Sequence, residues 1–230
     1  MDITLSYGNI CRGPLDLDGI AGLRTDLGSD LERPGCRTGQ TGPTYFVAWW
    51  ELRPMTVIVG PTLPDPYSDR VETVWDDLVA AFGIDRYVNP YPHVTLYALD
   101  DVSDLQTVED VVRDVAANHE PVPVHTDGIG VFPQNAVWLP VARSPELAAL
   151  HRDVVAAVGD LGDAPVPFYD PARWFPHVGF ALGLEDELTG EIVTYLLNYD
   201  FAWSFEFETI AITRPPEEGD EHELVAAVEL

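Results

Sequence analysis

Tyr91-Pro92-His93-Val94-Thr95-Leu96 and Phe175-Pro176-His177-Val178-Gly179-Phe180 are near copies of each other. Both read aromatic, Pro, His, Val, small residue, apolar residue. The two histidines stand 84 positions apart. Each segment opens a short apolar run of the kind that forms a buried strand. Two matched histidines on two matched strands point to one site assembled from two related halves.

The pattern outward from these segments is regular. Met55–Gly60 is β-branched and compact, as a buried strand requires. Ser68–Phe82 places Val71, Val74, Trp75, Leu78, Val79 and Phe82 at helical spacing, with Gly83 as the stop. His93–Leu99 reads as a strand. Asp104–Asn118 reads as a helix with Asp104 as its cap. Val122–Val131 and Ala136–Val141 form a strand pair around Pro133-Gln134-Asn135. Ser144-Pro145-Glu146 starts a helix that runs to about Val158, with proline at its first position. Trp174–Leu182 is a strand, Glu185–Leu197 a helix, and Phe205–Thr213 and Glu223–Val228 close the chain as strands. Adjacent strand pairs interrupt the strand–helix alternation, so the expected class is α+β with mostly antiparallel sheets. No GxGxxG or P-loop pattern is present.

Side chains alternate along a strand. That places His93, Thr95 and Tyr97 on one face, and His177, Gly179 and Ala181 on one face of the other copy. If a pseudo-twofold axis relates the halves, the two histidine faces meet in one groove. Two imidazoles flanking a substrate suit proton transfer near neutral pH: one takes a proton from an attacking water and the other gives one to the leaving oxygen. Each role contributes about 10²–10⁴-fold in rate.

The paired motifs resemble the His-x-Thr/Ser-x motifs of the two-histidine phosphoesterase superfamily. The element order from Met55 to Leu230 is similar to that of its 2'-5' RNA ligase and 2',3'-cyclic phosphodiesterase group. The resemblance covers residues 55–230. It implies a bilobal fold of two pseudo-symmetric lobes with a cleft between them, no metal or other cofactor, and hydrolysis of a 2',3'-cyclic phosphate at an RNA or nucleotide end. Some members also join 2'-5' RNA ends. His93 and His177 then take the catalytic places, and Thr95 donates a hydrogen bond to a phosphate oxygen. Gly179 stands where the family carries Thr or Ser. It either lacks a phosphate contact or lets backbone approach the substrate closely. Arg173, four residues before His177, is the candidate phosphate contact, with Arg214 behind it. Tyr97 and Trp174 are candidates for stacking a base. His119, His125, His151 and His222 lack the motif and read as surface or structural. Two rivals stand beside this reading: a degenerate member that binds RNA or nucleotide without turnover, and an assembly protein with no ligand.

Composition bounds the setting. The 230 residues carry 39 acidic and 12 basic side chains, a formal net charge of −27, and every basic residue is arginine. Acids spread along a chain in this way read as adaptation to high salt, where screening acts within about 3 Å at molar concentration. Such a surface argues against phosphate-backbone attraction as the main source of affinity. No apolar run of membrane-spanning length and no secretory pattern is present, so the cytoplasm is the default location; the sequence leaves the oligomeric state open, with a monomer favoured. Cys11 and Cys36 have no metal-site spacing. Residues 1–54 hold seven acids, five arginines and eight of the 18 glycines. They are expected to be a poorly ordered extension, with Met55 as an alternative start.

Overall fold

The computed structural model describes residues 56–85, 89–133, 135–164, 166–216 and 221–230. The expectations for residues 1–54, including both cysteines, lie outside the described residues. Four α-helices and nine strands are present among the described residues. No helix among them is long and apolar enough to cross a membrane.

The first sheet is antiparallel and has the order β2-β1-β8-β9: β1 is Val57–Pro61, β2 Tyr97–Leu99, β8 Thr209–Arg214 and β9 Glu223–Glu229. Every residue of β1 is buried, as its unbroken apolar run requires in a central strand. A second set is built on β5 (Ala136–Pro140), which pairs with β4 (Gly130–Phe132) on one side and β6 (His177–Ala181) on the other. β3 (Val122–Thr126) pairs with β7 (Trp203–Phe207). A bridge from Thr126 to Val141 and the bond from Ala142 N–H to His125 C=O carry β3 along the extension of β5. β3 and β4 are nonetheless separate strands in different sheets, divided around Gly128, whose φ of 69° is in the left-handed region. The single strand expected over 122–131 is corrected accordingly.

The run 205–213 is also two strands. At Glu208 the chain leaves the partner β3 and joins β1 and β9, a change of sheet that an apolar run cannot reveal.

The helices follow their periodicity. α1 (Tyr67–Phe82) buries Val71, Val74, Trp75 and Leu78 and ends on Gly83 at φ 65°. α2 (Leu105–Ala116) is capped by Asp104, whose carboxylate accepts from Gln106 N–H at 3.1 Å. α3 (Pro145–Val158) is capped by Ser144, which accepts from Leu147 N–H at 3.1 Å. α4 (Asp186–Leu196) buries Ile192 and Leu196. Each fully buried Leu, Ile or Val stabilises the fold by about 1.5–3 kcal/mol relative to exposure. Trp75, Leu78, Leu96, Leu99, Leu139, Leu147, Leu150 and Phe180 are all in this class of deeply buried side chains. The observed class is the expected one: mixed α and β with antiparallel sheets.

Candidate active site

His177 stands at the start of a strand, whereas His93 lies in an isolated bridge four residues before β2, so the strand expected over His93–Leu99 is regular only at Tyr97–Leu99. His177 opens β6 opposite Pro140 of β5. His93 bridges Thr62, just past the end of β1, and the backbone between them is held by Val94 N–H to Pro61 C=O at 3.0 Å and Leu96 N–H to Val59 C=O at 2.9 Å.

Both motif strands carry one extra residue. Between the Thr62–His93 and Val59–Tyr97 pairs, β1 advances three positions while the motif strand advances four. Between the Trp138–Gly179 and Val137–Ala181 pairs, β5 advances one and β6 advances two. A bulge of this kind flips the alternation beyond it. The cleft face therefore runs His93, Thr95, Ala98 in the first copy and His177, Gly179, Leu182 in the second. The expected third members, Tyr97 and Ala181, turn into the core, at 8% and 4% exposure. Tyr97 packs its ring 5.4 Å from Tyr169 and does not line the cleft, so its base-stacking role is withdrawn.

The repeat extends to the hydrogen bonds. His93 Nδ1 lies 2.7 Å from Tyr91 C=O and His177 Nδ1 lies 2.8 Å from Phe175 C=O. A carbonyl only accepts, so each Nδ1 carries the proton and each Nε2 is left as the reactive atom. The carbonyl of the third motif residue accepts an indole N–H in both copies. Trp174 donates to Thr95 at 2.9 Å, and Trp75 of α1 donates to Gly179 at 3.0 Å. His93 Nε2 is 3.2 Å from Thr95 Oγ1, so the two share a face as the spacing requires.

His93, Thr95, His177, Gly179 and Arg173 converge on one cleft of about 270 Å³. Arg173 is the one cationic side chain lining it among the described residues, with its guanidinium 5.2 Å from the Phe168 ring. Arg214 is instead engaged with Glu223, at 3.0 Å. The remaining wall is aromatic: Phe175 belongs to the second motif, whereas Phe132 and Trp138 come from β4 and β5, which no motif marks. Phe132 and Trp138 stack at 4.6 Å, and Phe132 meets His177 edge-on at 5.0 Å. Phe175, 53% exposed, lies 5.1 Å from Trp138. Trp174 lines the cleft, but one face is taken by His151, stacked at 3.9 Å, so it anchors Thr95 and has no open pair of faces for a base. The structural reading of His151 fits its complete burial.

Burial pushes His93 down to about 4; the Tyr91 carbonyl opposes this, and His222 and His177 add to it. His222, read from sequence as peripheral, is thus electrostatically linked to the site, and no motif marks it. Burial also lowers His177 below 6.5, opposed by the Phe175 carbonyl. Both rings are neutral in the empty cleft at pH 7. An anionic phosphate between them favours the charged form of either. Among the described residues, no three His, Cys, Asp or Glu side chains gather as a metal-ligand set.

The pattern of the 2'-5' RNA ligase superfamily matches residues 63–218, which spans both motifs. An RNA 2',3'-cyclic phosphodiesterase of Methanothermobacter thermautotrophicus is 31% identical over 116 residues, covering 47% of this chain and 63% of that protein. The chain thus aligns with somewhat under two thirds of that relative's length. Among solved structures, the protein TT0787 of Thermus thermophilus superposes with a TM-score of 0.57 at 15% identity, over 76% of this chain and 98% of that one. E. coli LigT in complex with 3'-AMP superposes with a TM-score of 0.52 at 17% identity, over 77% and 98%. These two likenesses are likenesses of fold.

Proposed function

The chain belongs to the 2'-5' RNA ligase superfamily, and from that premise we propose that residues 55–230 open a 2',3'-cyclic phosphate at an RNA or nucleotide end by two-histidine acid–base catalysis. The observation that carries the reading is the equivalent tautomer in both copies: each Nδ1–H is tied to the carbonyl two residues earlier, and each ring lines the same cleft.

His93 is the base. It is the ring held down to about 4, so its Nε2 is unprotonated at neutral pH; Thr95 Oγ1, 3.2 Å away, donates to it in the empty cleft and turns to the phosphate when substrate binds. It takes a proton from water, whose oxygen forms the new bond to phosphorus. The bond from phosphorus to one ribose oxygen breaks, and His177, protonated in the presence of the phosphate, gives that oxygen its proton. Thr95 and Arg173 bind the non-bridging oxygens, and Phe132 and Phe175 of the aromatic wall receive the base, each stacking contact contributing about 1–3 kcal/mol. A ribose hydroxyl in place of water gives the joining reaction with the same proton transfers.

A substrate panel tests this. The expected result is turnover of 2',3'-cyclic nucleotides and of RNA with a cyclic end in molar salt, and none of a simple 3'-phosphomonoester. Turnover of the monoester with the cyclic substrates untouched would overturn it. The second reading, a binding protein without turnover, is favoured by one observation: Gly179 presents no hydroxyl to the cleft. Tight binding of a 3'-nucleotide with no hydrolysis of any cyclic substrate would establish that reading.

A further inference from the structure

A second groove, of about 480 Å³, adjoins the cleft and shares Trp174 and Phe175 with it. Its wall also carries His125, Asp127, Arg143, Val141 and Pro176. Phe175 therefore lines both hollows and is 53% exposed.

The charges separate the groove from the rest of the surface. Among the described residues, Arg113, Arg152 and Arg214 each have a carboxylate within ion-pair distance. Arg70, Arg143 and Arg173 have none, in a chain with 39 acidic side chains. Arg70 lies on α1 over the Tyr67 and Trp203 rings. The other two lie on the two hollows that meet at Trp174: Arg173 lines the cleft and Arg143 lines the groove. Arg143 is braced there, donating to Pro171 C=O with its guanidinium 5.9 Å from the Trp174 ring. A guanidinium held by a backbone carbonyl and an aromatic ring, without a carboxylate, keeps donors for an incoming anion. His125 adds an imidazole 2.9 Å from Ser204 Oγ. Asp127 is the carboxylate on this wall. Arg143 is left as the arginine lining the groove that can meet a phosphate.

We propose that this groove holds the nucleotide preceding the cyclic end of a single-stranded RNA, with its linking phosphate on Arg143 and its base against Phe175. The proposal rests on the cyclic-phosphate reading of the cleft, and it makes an oligonucleotide the preferred substrate over a mononucleotide. The two anionic groups of such a strand then meet two arginines that have no carboxylate within ion-pair distance among the described residues.

The test compares a 2',3'-cyclic mononucleotide with a trinucleotide ending in the same cyclic phosphate, in wild type and Arg143→Gln. Glutamine keeps a donor for Pro171. The expected result is that kcat/KM for the trinucleotide falls about fivefold, the scale of one partly exposed charge contact, while that for the mononucleotide is unchanged. The slope of log kcat/KM against log salt for the trinucleotide also loses about 0.7, the share of one phosphate on a single strand. Equal loss on both substrates would make Arg143 a prop for Trp174 and overturn the proposal. No loss on either would overturn it as well. If wild type turns over neither substrate, the activity reading fails separately. The groove is then judged by fluorescence anisotropy with a 3'-phosphorylated trinucleotide and the corresponding mononucleotide. Weaker trinucleotide binding in Arg143→Gln with the mononucleotide unaffected supports it, and identical affinities overturn it.

Discussion

Gly60→Ala is expected to disable the site from behind. Gly60 lies in β1 under the first motif, and a Cβ there would sit 2.0 Å from the Val94 carbonyl oxygen, 2.9 Å from its carbon and 3.2 Å from Thr95 Cα. Carbon–oxygen contacts settle at about 3.3 Å or more. The motif strand must therefore retreat by roughly 1.3 Å, and it carries His93 and Thr95 with it. Overpacking of this kind costs about 1–3 kcal/mol, and 1 kcal/mol lowers the melting temperature by about 2–4 °C in a protein of this size. A misplacement near 1 Å costs about 10²-fold in rate. The assays are thermal unfolding and kcat/KM on a 2',3'-cyclic nucleotide. Gly190→Ala in α4 is the control, because nothing lies within 4 Å of the added carbon. There the gain in helix propensity is about 0.5–1 kcal/mol, with activity unchanged. A Gly60→Ala protein with wild-type melting and wild-type turnover would refute the claim that the motif rests directly on β1.

The remaining predictions concern the titrating groups and the asymmetric motif. In the free enzyme kcat/KM requires His93 neutral and His177 protonated, so it rises through about pH 4, falls as pH passes the lowered value of His177, and peaks on the acid side of 6.5. A peak above pH 7 would contradict the assignment. His151, lowered to about 4 mainly by burial, takes up a proton between pH 6.5 and 4 only when unfolded. Its contribution is present above pH 6.5 and is lost as pH falls from 6.5 to 4, by up to about 3 kcal/mol. His151→Phe, which keeps the stack on Trp174, should reduce the drop in denaturation free energy between pH 7 and pH 5, and an unchanged drop would refute it. Gly179→Ser supplies the hydroxyl that the second copy lacks. A charge-assisted contact of about 1.5–3 kcal/mol predicts a rise in kcat/KM of tenfold or more, and no rise would show that the phosphate does not reach this position.

Much of the fold was legible because helical periodicity, caps and motifs are local. Asp104 and Ser144 cap the helices they precede, and Gly83 ends its helix in the left-handed conformation. His93, Thr95, His177, Gly179 and Arg173, which the motifs single out, line one cleft. What failed was register. Strict alternation assigned Tyr97 and Ala181 to the cleft, and one extra residue in each motif strand sends them to the core and brings Ala98 and Leu182 forward. A bulge is decided by the partner strand, so the motif strand's own residues do not announce it. The switch of partner at Glu208 and the Phe132 and Trp138 part of the aromatic wall escape for the same reason, since both depend on which distant strands meet. The repeat of the bulge, the Nδ1 tether and the indole bond in both halves makes the duplication deeper than six matching residues suggested.

The central claim is most directly tested by single-turnover hydrolysis of a 2',3'-cyclic nucleotide with wild type, His93→Ala and His177→Ala, each confirmed as folded by circular dichroism. The account predicts turnover by wild type and a loss of at least about 10²-fold in each variant, the smaller contribution of one proton-transfer group. A folded variant lacking either imidazole that turns over at the wild-type rate would contradict it.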